Sequence, residues 1–599
     1  MSKTKQHVFL EEIDFLLKEI VKVQVLTYAE EFKGYQYSEF YDLIESVERF
    51  IRETNLEDFA VSTARGKRFK EFKRVWLGFL KAGWMRCIAP AIFGGDPLPK
   101  AVVLAIKETI ARSSPAFYRF LESNLSVMES VFLYGLPAQI EEINEPIKKM
   151  ELSGQLSVLE IMESFADLDI QTVARKKDDY FLLEGKKQST FMGFDEQAEN
   201  QAHLVLAKLA EPESNNPEYA LFAAYRFTEG KAGGMIENFR YIASGKEPEI
   251  ETQSPGIIVY GGDEGCRGSI LSKSKVIKDK GIFVDSQIKG EILENIAFWD
   301  RAMGEIESVM NKKNQFLNSV NKNKSSILLN PYYLALTDSL LEIRSWSEGI
   351  RSLLYMEGFY QDCVNYGMAD KKNYFNDLRL FYNGILMLYA EDANSLVRQS
   401  INKSFKLIKQ VFGAEMAMKK TIPFNNHQGG VSRAYDFVYE KVLKNESRVF
   451  KNLLLEFEKV DAHQAVSEPL CEATAVWEDY LGGAVLHLDD LHQASGKMEP
   501  GQKKLHVKKT VQLLGDLLVC YHLIQQGLAA EEKLKEREVN FYHLKEDVKK
   551  EKSLWKWYNK LVYAEYFALN QLTKQESNLK ILKRNATTVL DVFLLDGRS

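Results

Sequence analysis

The stretch Ile408–Val438, IKQVFGAEMAMKKTIPFNNHQGGVSRAYDFV, carries two polar, glycine-bearing clusters within a helical part of the chain. The first is Gln410-Val411-Phe412-Gly413-Ala414 and the second is Asn426-His427-Gln428-Gly429-Gly430-Val431-Ser432-Arg433. Between them Ile422-Pro423 interrupts the helical period, because proline lacks the donor that a helix interior needs. From about Gly290 nearly to the C-terminus apolar residues otherwise recur at helical spacing, with further breaks at Asn330-Pro331 and in the loop Gln493–Lys504.

Working outward, the opposite end of the chain is also helical. Between Val8 and about Glu141 the runs FLEEIDFLLKEIVKVQVL and YDLIESVERFIRET repeat apolar residues every three or four positions, and the turn FGGDPLPK at Phe93–Lys100 breaks the pattern. Residues from about Leu152 to Asp285 read differently. Short β-rich runs such as HLVLAKL at His203–Leu209 and YALFAAYRF at Tyr219–Phe227 lie between the polar turns KKDD, EPESNNPE and SGKEPE. The expectation is a mainly α protein with a middle β domain: an N-terminal helical domain over 1–151, an antiparallel β domain over 152–285, a C-terminal helical bundle over 286–460 and a helical extension over 461–599.

Composition sets the outer limits. A chain of 599 residues with 45% hydrophobic content exceeds a single core and calls for several subdomains. A net charge of -6 offers no general attraction for nucleic acid, and none is expected as a partner. The five cysteines, an odd number without a C-x-x-C pair, suit a reducing compartment. The N-terminus lacks the apolar core of a signal peptide and no run of about 18 uncharged apolar residues appears, so a cytoplasmic protein without a membrane span is expected. The segment His487-Leu-Asp-Asp-Leu-His492 spaces its histidines by five, off a common helical face, and reads as a solvated helix rather than a metal site.

The order of these regions resembles that of the longer acyl-CoA dehydrogenases, and local matches run from about Glu30 to Lys459. Gly83-Trp84 through Phe93-Gly94-Gly95-Asp96-Pro97-Leu98-Pro99 resembles the family's G-W…G-G-x-G-L-P loop. Leu159-Glu160 through Asp167-Leu168 is similar to its T-E-P-x-A-G-T-D-L motif, Gly185 through Gly193 to its G-x-K-x-[WF]-I-T-N-G strand, and Glu264–Ser269 to its G-x-R-G-S turn. Ser347–Leu353 resembles the E-G-x-R-x-L helix of the long subgroup. The two clusters of the opening stretch resemble the Q-x-x-G-G turn that meets the FAD pyrophosphate and the Y-E-G-T-x-G-I-Q motif that supplies the catalytic glutamate.

What the resemblance implies can be set beside each residue. FAD would be the cofactor, with Glu160, Thr190, Phe191, Gly193, Arg267, Gln410 and Gly413 at its binding positions. His427 stands where the family has its base, Leu159 replaces a threonine and Ala414 a glycine. A neutral imidazole can accept a proton, its reference pKa being about 6.5, so His427 is either an altered base or a non-catalytic replacement. Thr190 or Phe191 would back the flavin, depending on strand register. Gln410 is either a phosphate donor or a polar helix position, and Arg267 either a phosphate ligand or a solvated side chain. The partners implied are an acyl-CoA substrate, an electron-transferring flavoprotein and a second copy in a homodimer. Two functions follow: α,β-dehydrogenation of an acyl-CoA thioester, or a catalytically inactive family member acting as a binding or structural subunit.

Overall fold

The computed structural model describes residues 3–54, 67–89, 94–157, 170–189, 200–211, 217–229, 235–242, 256–261, 265–271, 281–320, 331–367, 369–389, 392–412, 448–460, 464–494 and 500–583. The N-terminal part holds α1 (Lys3–Phe15), α2 (Tyr37–Glu53), α3 (Lys67–Lys81), α4 (Trp84–Ile88), α5 (Lys100–Ser113), α6 (Pro115–Tyr134) and α7 (Pro137–Lys149). At the loop expected near Phe93, Gly83 and Gly94 take φ of 85° and 77°, a region that L side chains avoid. The Arg86–Asp96 ion pair at 2.6 Å closes the loop.

Ten strands follow among the described residues: β1 (Leu152–Ser157), β2 (Val173–Lys177), β3 (Tyr180–Ser189), β4 (Asn200–Leu209), β5 (Tyr219–Tyr225), β6 (Phe227–Glu229), β7 (Met235–Glu237), β8 (Phe239–Ile242), β9 (Gly256–Tyr260) and β10 (Cys266–Ile270). Apart from the β6–β7 hairpin they form one sheet in the order β1-β4-β5-β10-β3-β9-β8, and β2 pairs with both β3 and β4. The strands β4, β5, β10, β3 and β2 therefore close a ring. The expected antiparallel arrangement is corrected at two places, since β1 and β2 each run parallel to β4. The intervening crossover from Ser157 to Asn200 is long enough to return the chain in the same direction.

The middle strands read as unbroken apolar runs because both of their faces are covered. In β4, Ala202, Leu204 and Leu206 join the helical core, while Val205 and Ala207 fill the ring with Phe222, Leu183, Ile258 and Cys266. Helix α6 docks on β1 through backbone groups: Ser123 donates to the Gly154 carbonyl, and the Gly154 N–H donates to Asn124 Oδ1 at 2.7 Å. A Cβ at Gly154 would stand 2.8 Å from Val127, so the glycine permits this close approach.

The bundle comprises α8 (Gly281–Val320), α9 (Pro331–Tyr366), α10 (Lys372–Tyr389), α11 (Asp392–Phe412) and α12 (Arg448–Phe457). Helix α8 thus begins within the span that the sequence pattern gives to the β domain. The extension holds α13 (Glu468–Ala494), α14 (Pro500–Lys535), α15 (Leu544–Lys550), α16 (Trp555–Asn570) and α17 (Glu576–Lys583). Within α14 the stretch Val507–Lys535 is long and apolar enough to cross a membrane by length and composition, and 83% of its apolar window is buried inside the molecule, as in a core helix. His487 on α13 is buried as well, and so does not lie on the solvated face expected of it.

Helix α9 is central. It packs on α5, α8, α10, α11, α14 and α16, and a Cβ at Gly349 would overlap Val519 of α14. Its Arg351, 1% exposed, donates to Glu108 of α5 at 2.9 Å, to Glu348 at 3.0 Å and to Asp300 of α8 at 2.5 Å. The other carboxylate oxygens are also bound: Tyr355 donates to Glu108 at 2.7 Å, Ser347 to Asp300 at 3.0 Å and Lys560 of α16 to Glu348 at 2.6 Å. Burial alone would depress the Arg351 guanidinium, but Asp300, Glu108 and Glu348 hold it well above its ordinary range. Removing one partner of such a buried group strands the others at about 3–5 kcal/mol. We expect Arg351→Met to lower stability by about that amount, measured as a lower denaturant midpoint at unchanged slope.

Candidate functional site

Of the residues expected to hold a cofactor, Arg267 and Gln410 are described. Glu160, Thr190, Phe191, Gly193, Gly413 and the base position His427 lie outside the described residues, as do Leu159 and Ala414. What the structure supplies for them is the framework from which their segments leave.

The segment after Phe412 departs from α11, which packs on α8 and α9, and the chain is described again at Arg448. There Arg448 grips Asp377 of α10 with two hydrogen bonds of 2.5 and 2.7 Å, and Asn452 adds a third at 2.9 Å. Both ends of the span containing His427 are therefore fixed to the bundle. Gln410 is exposed and helical, two residues before the end of α11. Carbonyls and the negative end of the helix dipole face that terminus, so Gln410 would need donors from the following segment to hold a phosphate.

In the β unit, Glu160 follows β1 and Thr190 follows β3. These two strands approach each other. Arg267 is placed elsewhere. It lies in strand β10 rather than in a turn, opposite Leu182, whereas Thr190 follows Ser189 at the far end of β3. The seven steps from Leu182 to Ser189 correspond to about 23 Å of strand. Its guanidinium lies over the Tyr180 ring at 5.4 Å, and its backbone N–H donates to Asn238 at 3.4 Å.

The strand ends meet a polar interior that the sequence reading passed over. His203 Nδ1 lies 2.9 Å from the Tyr260 hydroxyl and 3.3 Å from the Ser157 hydroxyl, joining β4, β9 and β1. Phe239 covers the imidazole with a ring separation of 4.1 Å. Burial, helped by Arg226, pushes the His203 pKa down to about 3, so the ring remains neutral and positions hydroxyls rather than delivering protons. In the bundle, Tyr382 bonds to His522 Nε2 at 2.8 Å, and burial pushes that imidazole down to about 3 too. A histidine inside an apolar strand was the available signal. Its partners, 46 and 57 residues away, were not.

No protein-family model and no curated protein sequence matches the chain. Solved structures do. An acyl-CoA dehydrogenase complexed with FAD from Bacillus anthracis superposes with a TM-score of 0.59 at 14% identity, over 92% of this chain and 88% of that one. Caenorhabditis elegans ACDH-11 in complex with C11-CoA gives a TM-score of 0.56 at 13% identity, over 96% of this chain and 94% of that one. The chain has the acyl-CoA dehydrogenase fold. Because both matches run along nearly the whole length, the helical extension is part of that shared fold.

A histidine kept neutral in the folded state, but with an ordinary value of 6.5 when unfolded, loses stability as pH falls from 6.5 toward 3. We expect His203→Gln to gain on the natural protein over that range, by up to about 1.4 kcal/mol per pH unit. Denaturant titrations of both proteins at pH 7, 6 and 5 measure the difference; a constant gap would mean that His203 is not held neutral.

Proposed function

We propose that this protein is an acyl-CoA dehydrogenase-like flavoprotein acting on an acyl-CoA thioester, with His427 at the position of the base. The observation that carries the reading is the whole-length fold similarity to one structure described with FAD and another described with an acyl-CoA. The exposed carboxamide of Gln410 fits a bound flavin, which would supply the hydride acceptor. Gly413, Phe191 and Gly193 would complete the cofactor positions, with Arg267 serving a flavin that reaches its end of β3 or one held by a second subunit.

In this reading His427 accepts the α-proton on a neutral ring nitrogen, and donors near the thioester carbonyl lower the acidity barrier. Electrons leave to an electron-transferring flavoprotein, and the chain works as a homodimer. All five cysteines are free, which supports a reducing, cytoplasmic setting. The second reading, an inactive subunit that binds without turnover, draws on the simultaneous replacements at Leu159, Ala414 and His427.

One experiment separates them. An absorption spectrum from about 300 to 550 nm, before and after incubation with FAD, should show a bound-flavin band that acyl-CoA bleaches. His427→Glu should raise turnover with an artificial electron acceptor at least about tenfold, and His427→Ala should abolish it. A folded protein that takes up no flavin removes the dehydrogenase reading; flavin binding without turnover in either form leaves the inactive subunit.

A further inference from the structure

The chain's first helix does not end at Phe15. It continues as a wider π-helical turn over Leu16–Val21, stops at Lys22 in the left-handed conformation (φ 57°, ψ 45°) and resumes as a 3-10 turn over Val23–Tyr28. Ile13, Leu16, Leu17 and Val21 are each no more than 2% exposed. The segment lies against α5, α9 and α14. On its other side Phe15 meets the Trp557 ring of α16 at 5.1 Å, and the Lys560 ammonium lies 5.6 Å from the Phe15 ring.

Its acidic residues reach three different helices. Glu11 pairs with Lys556 of α16 at 2.9 Å, Glu12 with Arg344 of α9 at 3.7 Å, and Glu19 with Lys533 of α14 at 3.2 Å. Arg344 also stands 3.9 Å from Asp300, one of the carboxylates that Arg351 holds, and Lys560 bonds the third of them, Glu348. The N-terminal segment and α16 thus touch each other and the same buried charge cluster.

We propose that residues 3–21 are a strap that opens about Lys22, and that through the Phe15–Trp557 and Glu11–Lys556 contacts its closure restrains α16, which is otherwise seated on α13 and α14, so that opening of the strap loosens α16. A left-handed lysine costs the closed state something a glycine would not. The hinge therefore sets a reserve of opening that the apolar seat and the three acidic contacts restrain. Opening releases Phe15 from Trp557 and uncovers Lys560, which loosens Glu348 and, through it, the Arg351 cluster.

Hydrogen exchange on the full-length protein tests this, comparing residues 9–21, α16 and the control helix α10. Lys22→Gly should slow exchange about threefold in both 9–21 and α16 while α10 stays unchanged. Glu12→Lys, which sets a cation against Arg344 and Lys560, should accelerate both segments at least about tenfold. Since Glu12→Lys can unfold the whole chain, Lys22→Gly is decisive. A response to Lys22→Gly confined to 9–21, or no slowing in either segment, overturns the proposal.

Discussion

The Arg351 guanidinium is the constraint around which the helical part of the molecule is arranged. It remains charged under all ordinary conditions and directs donors at three carboxylates from α5, α8 and its own helix. Each carboxylate is itself bound again, by Tyr355, Ser347 or Lys560, so no member can be moved without stranding another. Apolar packing could hold these helices together, but it would tolerate sliding. A fork of hydrogen bonds fixes the rotation and register of α9 against its neighbours, and α9 touches nearly every element of the bundle.

That arrangement also marks how far the sequence could be read. Helix and strand periods located the helical ends and the β unit, because apolar spacing is a local property visible in one stretch such as His203–Leu209. The polar residues of α9 were beyond such a reading. Ser347, Glu348 and Arg351 look like solvent-facing residues until partners 47 to 243 positions away are known. Glu348-Gly349 through Arg351 was legible only as part of a family-like pattern. Its physical content is two charges of the buried cluster flanking a glycine that admits Val519.

The site was less legible than the fold for a related reason. Strand direction gave no warning that Arg267 would lie in β10 over Tyr180, opposite Leu182 and away from the Ser189 end of β3. Helical spacing gave Gln410 a place in α11 but not the direction of the chain beyond Phe412. The polar interior of the β unit went unread because His203 leads directly into the apolar run Leu204–Ala207. It makes that interior a fixed arrangement of hydroxyls around a neutral ring, beside which the Glu160 segment leaves the sheet.

The position of Lys560 has a consequence for synthesis. The carboxylate it binds, Glu348, is made more than two hundred residues earlier. During translation α9 leaves the ribosome with charged groups designed for an interior and with the groove for α14 empty, and it cannot be completed until the final helices emerge. For that interval the nascent chain exposes both apolar seats and unmatched charge, the condition in which long proteins aggregate or engage chaperones. A premature stop before residue 555 would yield a polypeptide with nearly all its helices and no means of closing them, a natural substrate for degradation.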